Sequence, residues 1–143
     1  MKSVFFTLFL FISFYSCSQN EIVWDYSYNS KSKQLVMKAV LAEGWHVYST
    51  DLGTSGGPIQ TEFAFDPNQL VTLIAGVVEP KPKEEFDPNF DQMVKYFDKS
   101  VIFTQQVKVK KKTKLEGSVL YMVCNDTMCL PPVEEKFVIN LKK

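Results

Sequence analysis

From residue 22 onward the chain alternates apolar and polar side chains in short runs separated by turn residues. Ile22, Trp24, Tyr26 and Tyr28 share one face of a first run, and the polar stretch Asn29 to Lys33 leads into a second over Gln34 to Leu41. Trp45 to Tyr48 forms a short third candidate after Glu43-Gly44, and residues 50–58 have the composition of a loop. Ile59, Thr61, Phe63 and Phe65 fall on one side of a further run, and Leu70 to Ala75 is mostly apolar. Glu79 to Gln92 is rich in Pro, Lys, Glu and Asp without a steady period and reads as an irregular surface segment. Val101, Phe103, Val107 and Val109 then alternate against Thr104, Gln106 and Lys108, and Leu115, Val119, Tyr121 and Val123 against Glu116, Ser118, Leu120 and Met122. Phe137, Ile139 and Leu141 supply the inner face of a last strand. A period of two sends successive side chains to opposite faces of a sheet, and no segment holds a 3.6-residue apolar period for three turns. Roughly seven to nine short strands predict an all-β fold, an immunoglobulin-like β-sandwich, with no internal repeat and no second domain.

Composition narrows the function classes. The 143 residues, 45% of them hydrophobic, suffice for one domain with its own core. Lys plus Arg and Asp plus Glu each total 16, and Arg is absent. With no basic excess and no guanidinium, nucleic-acid binding is not expected. The basic run Lys108 to Lys114 reads as a solvated turn between two strands. No phosphate-binding loop, Ser-His-Asp set or metal-hydrolase motif occurs, so no cofactor is expected.

Residues 1–16 differ from the rest. Met1-Lys2 is a short positive start, and Val4 to Tyr15 is almost entirely apolar. That length suits a signal peptide and falls short of the ~20 residues a membrane-spanning helix needs. Ser16 places a small residue before Cys17, an arrangement that resembles a bacterial lipoprotein signal with Cys17 as the acylated mature N-terminus. Phe14 and Tyr15 are bulkier than the residues usual there; the alternative is an ordinary secretory signal that leaves Cys17 a free thiol. The expectation is a signal over 1–16, a lipid anchor on Cys17, and an exported domain over 17–143 on the periplasmic side of a bacterial membrane, where disulfides persist.

The remaining cysteines form the most informative motif, Cys124-Asn125-Asp126-Thr127-Met128-Cys129-Leu130-Pro131-Pro132. Asn-Asp-Thr is turn chemistry between strand-like flanks, so the chain should reverse there and bring Cys124 and Cys129 together. So small a loop makes a weak staple, because the entropy gained by closure grows with loop length. It suits a reversible two-electron switch, because both thiols stay neighbours after reduction. The adjacent formal charges in sequence, Asp126, Glu134 and Glu135, are acidic, and acidic neighbours do not favour a thiolate.

These pieces, in order, resemble the N-terminal periplasmic domain of the DsbD thiol:disulfide interchange protein: Glu43-Gly44-Trp45-His46-Val47-Tyr48, Gly57-Pro58, Tyr96-Phe97-Asp98-Lys99-Ser100, then Val119 to Cys124 and Cys129-Leu130-Pro131-Pro132. The resemblance spans most of 21–141, and the Cys…Cys-x-Pro-Pro piece is its specific part. It implies an immunoglobulin-like sandwich whose redox pair is Cys124 and Cys129, exchanging electrons with thioredoxin-like or membrane thiol-reductase partners. It further implies that Cys129 makes the mixed disulfide and Cys124 resolves it. A loop carrying an aromatic covers the pair in that family; Tyr96-Phe97 matches its position, and Tyr48 matches an aromatic near the same site. The cysteine spacing is one residue shorter than in the best-known members. The chain also ends at Lys143 without the family's membrane relay, so the expectation is either a protein-disulfide reductase component reduced by a separate protein or a module that has lost that role.

Two other readings stand beside this one. The first is a non-enzymatic binding or assembly module in which Cys124–Cys129 is a structural bridge. The second is Cu(I) binding by Cys124, Cys129, Met122 or Met128 with His46, since soft sulfur ligands favour that ion. His46, the one histidine, otherwise reads as a strand residue between Trp45 and Val47.

Overall fold

The computed structural model describes residues 21–53 and 56–142; the signal segment and Cys17 lie outside them. Among these residues there are eleven strands and no helix: β1 (Ile22–Asn29), β2 (Gln34–Leu41), β3 (His46–Tyr48), β4 (Glu62–Phe65), β5 (Val71–Val78), β6 (Lys83–Asp87), β7 (Gln92–Asp98), β8 (Ser100–Val109), β9 (Thr113–Tyr121), β10 (Val123–Cys124) and β11 (Val133–Leu141). They form three antiparallel sheets, ordered β1-β2-β8-β5, β10-β3-β7-β6 and β11-β9-β4. The expected immunoglobulin-like all-β sandwich is what the chain adopts.

The core follows the alternation. Trp24 from β1, Leu35, Met37 and Ala39 from β2, and Val101, Phe103 and Val107 from β8 face Leu115, Val119 and Tyr121 from β9 and Phe137, Ile139 and Leu141 from β11. Aromatic rings tie the two sheets together: Trp24 meets Phe63 edge-on at 5.8 Å and Tyr121 at 5.6 Å, and Tyr26 stacks on Phe137 at 4.5 Å. Burial of this apolar surface supplies most of the driving force for folding.

Two inward positions break the apolar pattern. Gln105 is 2% exposed, and its amide donates to the carbonyl oxygens of Ile74 and Ala75. There the β5–β8 register shifts and Ala75 takes a φ of 57°, so the buried amide finds its acceptors at the irregularity in the strand. Gly117 lies between Leu115 and Val119 because a Cβ there would stand 2.4 Å from the Ala64 oxygen and 2.8 Å from the Phe137 ring. A side chain at 117 would force β4 and β9 apart.

One segment corrects the sequence expectation. Residues 79–92 are not wholly irregular: β6 pairs with β7 from Lys83↔Tyr96 to Asp87↔Gln92. The periodicity is masked because β6, Lys83-Glu84-Glu85-Phe86-Asp87, is exposed until its last residue. Such a strand gains its order from main-chain pairing with β7 rather than from an apolar face. The basic run, by contrast, lies where expected, with Lys110 to Lys112 exposed in the turn between β8 and β9.

Candidate functional site at the end of the second sheet

The sheet β10-β3-β7-β6 has two apolar faces. Val47, Phe97 and Val123 point into the main core. The opposite face carries a second, smaller cluster: Tyr48, Leu52, Val94 and Cys124 are buried, with Phe90, Tyr96, Met122 and Cys129 packed against them. This separation follows from the two-residue period, since Val47 and Tyr48, or Val123 and Cys124, are chain neighbours on opposite faces.

Cys124 and Cys129 are joined by a disulfide, with Cα atoms 4.0 Å apart. The turn between them is held as its residue types suggest. The Asn125 side-chain oxygen accepts from the backbone N–H groups of Thr127 and Met128, at 2.9 Å each, and the Asn125 N–H donates to the Met128 carbonyl. On the other side the Leu130 N–H donates to the Val123 carbonyl. The cysteines thus face each other as a non-hydrogen-bonded antiparallel pair, the arrangement that brings side chains closest. Cys124 is fully buried and Cys129 is half-buried, so the two cysteines are unequally open to a partner.

Tyr48 is fully buried in the cysteine cluster. Its hydroxyl donates to Asp87 Oδ2 at 2.6 Å, and His46 Nε2 lies 3.3 Å from the Tyr48 oxygen and 3.9 Å from Asp87 Oδ2. Burial, then the hydrogen bond to Asp87, raises the Tyr48 pKa far above the phenol range, so the hydroxyl stays protonated. Burial lowers the His46 pKa, with Asp87, Asp126, Asp98 and Glu85 opposing it, so the ring is neutral at pH 7. The approach of His46 to Asp87 is therefore not a charged pair there.

Tyr96 and Phe97 require a correction of position. Both lie within β7 rather than in a covering loop, and strand alternation separates them. Tyr96 pairs across the sheet with Tyr48 and joins the cysteine cluster. Its hydroxyl donates to Glu85, and that hydrogen bond, with burial, pushes its pKa up to about 12. Phe97 faces the main core, edge-on to Phe103 at 5.8 Å. The aromatic of the nearby turn is Phe90, between β6 and β7, edge-on to Tyr48 with ring centroids 6.2 Å apart. Asp87 shapes that turn by accepting from the Asn89 N–H at its side chain and the Phe90 N–H at its carbonyl. Asn89 in turn donates through its side-chain amide to the Asn125 carbonyl at 3.1 Å, tying the turn to the cysteine loop.

Phe90, Asp87 and Asn89 are the site residues that sequence reasoning missed. The signal for them was the Asp87-Pro88-Asn89 turn chemistry inside a segment read as irregular. Met128 is 49% exposed and Met122 half-buried, while both cysteine sulfurs are bonded to each other rather than free as thiolate ligands.

The family model described as "Thiol:disulfide interchange protein DsbD, N-terminal" matches residues 17–141. Among solved structures, the reduced DsbD N-terminal domain of Neisseria meningitidis is similar at 15% identity and a TM-score of 0.63, over 86% of this chain and 87% of that one. The complex between the DsbD N-terminal and PilB N-terminal domains of the same organism matches at 14% identity and a TM-score of 0.61, over 82% and 80% of the two chains. The N-terminal periplasmic domain of ScsB from Proteus mirabilis matches at 17% identity and a TM-score of 0.53, over 85% of this chain and 45% of that one. No curated protein sequence matches. The structural likenesses establish the shared fold, and the family match over 17–141 establishes kinship: this chain belongs to the family of the DsbD thiol:disulfide interchange protein's N-terminal domain.

Proposed function

We propose that this protein is an exported thiol:disulfide interchange module that passes electron pairs through Cys124 and Cys129 to or from thioredoxin-like partners. The observation that carries this reading is the disulfide itself, set at a sheet end with one cysteine buried and the other half-buried. A bridge closing a five-residue separation contributes only about 2 kcal/mol by loop closure, little for a fold that already has a full core. Family membership supports exchange chemistry, and the similar DsbD domain in complex with PilB shows that a relative of this fold docks a second domain.

Exchange needs a thiolate to reach a disulfide sulfur along the S–S axis. Cys129 is the reachable sulfur, so a reduced partner attacks Cys129 and Cys124 departs; in the opposite direction Cys129 attacks a partner disulfide and Cys124 resolves the mixed species. Phe90, with Tyr96 beside it, shields the pair until a docking domain moves the β6–β7 turn. The test is to mix the reduced protein with an oxidised thioredoxin-like domain, quench with acid and count alkylated thiols. Both thiols of this protein should disappear as two appear on the partner; thiols that persist would refute carrier function. Phe90→Ala should speed oxidation by a small neutral disulfide several-fold, and an unchanged rate would remove the shielding role.

Delivery follows from the other end of the chain. Residues 1–16 act as the signal, and Cys17 carries the lipid that holds the domain at the periplasmic side of a membrane. One acyl chain gives only marginal binding, so stable anchoring takes the several chains of a mature lipoprotein. Among the described residues no helix is long and apolar enough to cross a membrane. The mass of the mature exported protein tests this: a lipid-modified Cys17 is expected, and an unmodified N-terminus downstream of it would contradict the anchor.

A further inference from the structure

The geometry points to His46 as the base that takes the proton from Cys124 when Cys124 resolves a mixed disulfide on Cys129. This rests on the exchange reading above and adds a proton acceptor that the cysteine motif lacks.

His46 and Cys124 are direct partners in the β3–β10 ladder. Residues opposite each other in an antiparallel pair put their side chains on the same face, with Cβ atoms about 4.5–5.5 Å apart. That face is the one bearing the cysteine cluster, since Cys124 packs there with Tyr48, two residues beyond His46 on β3. The histidine invisible as a neighbour in sequence is thus a neighbour across the sheet.

The hydrogen-bond chain behind His46 assigns its tautomer. Tyr48 has one hydroxyl proton, and it goes to Asp87 Oδ2 at 2.6 Å. The Tyr48 oxygen can then only accept from His46, so the proton of the neutral ring sits on Nε2, 3.3 Å away. Nδ1 is left with a lone pair and no hydrogen-bond partner among the described residues. The Asp87–Tyr48 pair also stabilises the ring when it becomes charged.

The groups around this site make a base useful. Asp87 and Glu85 from β6, Asp98 from β7 and Asp126 from the cysteine turn all act on His46, and Tyr48 and Tyr96 complete its surroundings. Four carboxylates disfavour a further anion, so a buried Cys124 thiol would not ionise readily without a proton acceptor. Burial keeps His46 neutral at pH 7 and hence able to accept. A cleft of about 280 Å³, lined by His46, Asp87, Tyr96 and Asp126, opens beside it for the proton to leave to water.

The step balances. The Cys124 S–H proton moves to His46 Nδ1, Cys124 sulfur bonds to Cys129 sulfur, and the Cys129–partner S–S bond breaks. The partner leaves as a thiolate, reduced, while the Cys124–Cys129 pair is oxidised, and His46 then returns its proton to solvent. In reverse, a protonated His46 gives its proton to the departing Cys124 sulfur.

Reduced protein mixed rapidly with 4,4′-dithiodipyridine, a neutral disulfide, tests this. Cys129 releases the first 4-thiopyridone and ring closure by Cys124 releases the second, so the two steps are read separately. In the unaltered protein the second step should level off above the His46 pKa, and in His46→Gln it should fall on the order of 100-fold at pH 7 and rise with hydroxide instead. A second step unchanged in His46→Gln overturns the inference. So does a rate in the unaltered protein that climbs tenfold per pH unit throughout, a result that needs no variant to fold. Absence of the first step would overturn the exchange reading, and this inference with it.

Discussion

Cys124→Ser is expected to trap a mixed disulfide with a thioredoxin-like domain that lacks its own resolving cysteine, and Cys129→Ser to trap almost none. The asymmetry comes from burial. Cys124 is fully enclosed by Tyr48, Leu52 and Val94, whereas Cys129 keeps part of its surface open. An incoming sulfur must approach along the S–S axis, and of the two cysteines only half-buried Cys129 has surface open to such an approach. Leu130-Pro131-Pro132 strengthens the bias, because each proline fixes φ and restricts the residue before it. Cys129 therefore begins a stiff segment that holds its sulfur in a constant pose for docking. In Cys124→Ser the trapped species survives because no second sulfur can expel the partner. Equal trapping by the two variants would refute the division of labour, and trapping by neither would favour a structural bridge. Electrophoresis without reductant, followed by mass mapping of the linked peptides, reads the outcome.

The largest stability loss from a single substitution should come from Phe103→Ala. Phe103 is fully buried in β8 and meets Trp24 at 6.0 Å, Phe63 at 5.1 Å and Phe97 at 5.8 Å. It thereby joins all three sheets, and Phe97 lies on the strand whose other face carries Tyr96 and the site. Removing the ring forfeits its transfer free energy and leaves a cavity that three rigid aromatics cannot collapse to fill. The expected cost is about 3–5 kcal/mol, and for a domain of this size Tm should fall on the order of 10 °C. Denaturant unfolding of the oxidised protein measures it. A loss under about 1 kcal/mol would mean that the sheets are not coupled through this ring cluster.

The strands facing the main core were legible because one face of each is buried. β2 over Gln34–Leu41 and the alternation in β8, β9 and β11 show this directly. The cysteine turn was legible for a different reason: Asn125 fixes it through local side-chain bonds that sequence proximity guarantees. What sequence hid is the part of the site assembled across sheets. Strand β6 carries charge along most of its length, so it left no period to read, yet its last residue, Asp87, is buried and anchors Tyr48. Tyr96 and Phe97 were sequence neighbours assigned together, and strand alternation sent them to different faces. His46 and Cys124 are far apart in the chain, and only the β3–β10 register places them side by side.

The most direct test of the exchange role is the equilibrium between the Cys124–Cys129 disulfide and a graded glutathione buffer, read by acid quench and thiol alkylation. A redox-active carrier should titrate fully within the buffer's range, with a potential more oxidising than about −300 mV. A bridge that stays closed at the most reducing end of that range, with a potential below about −300 mV, would mark Cys124–Cys129 as structural and contradict the exchange role.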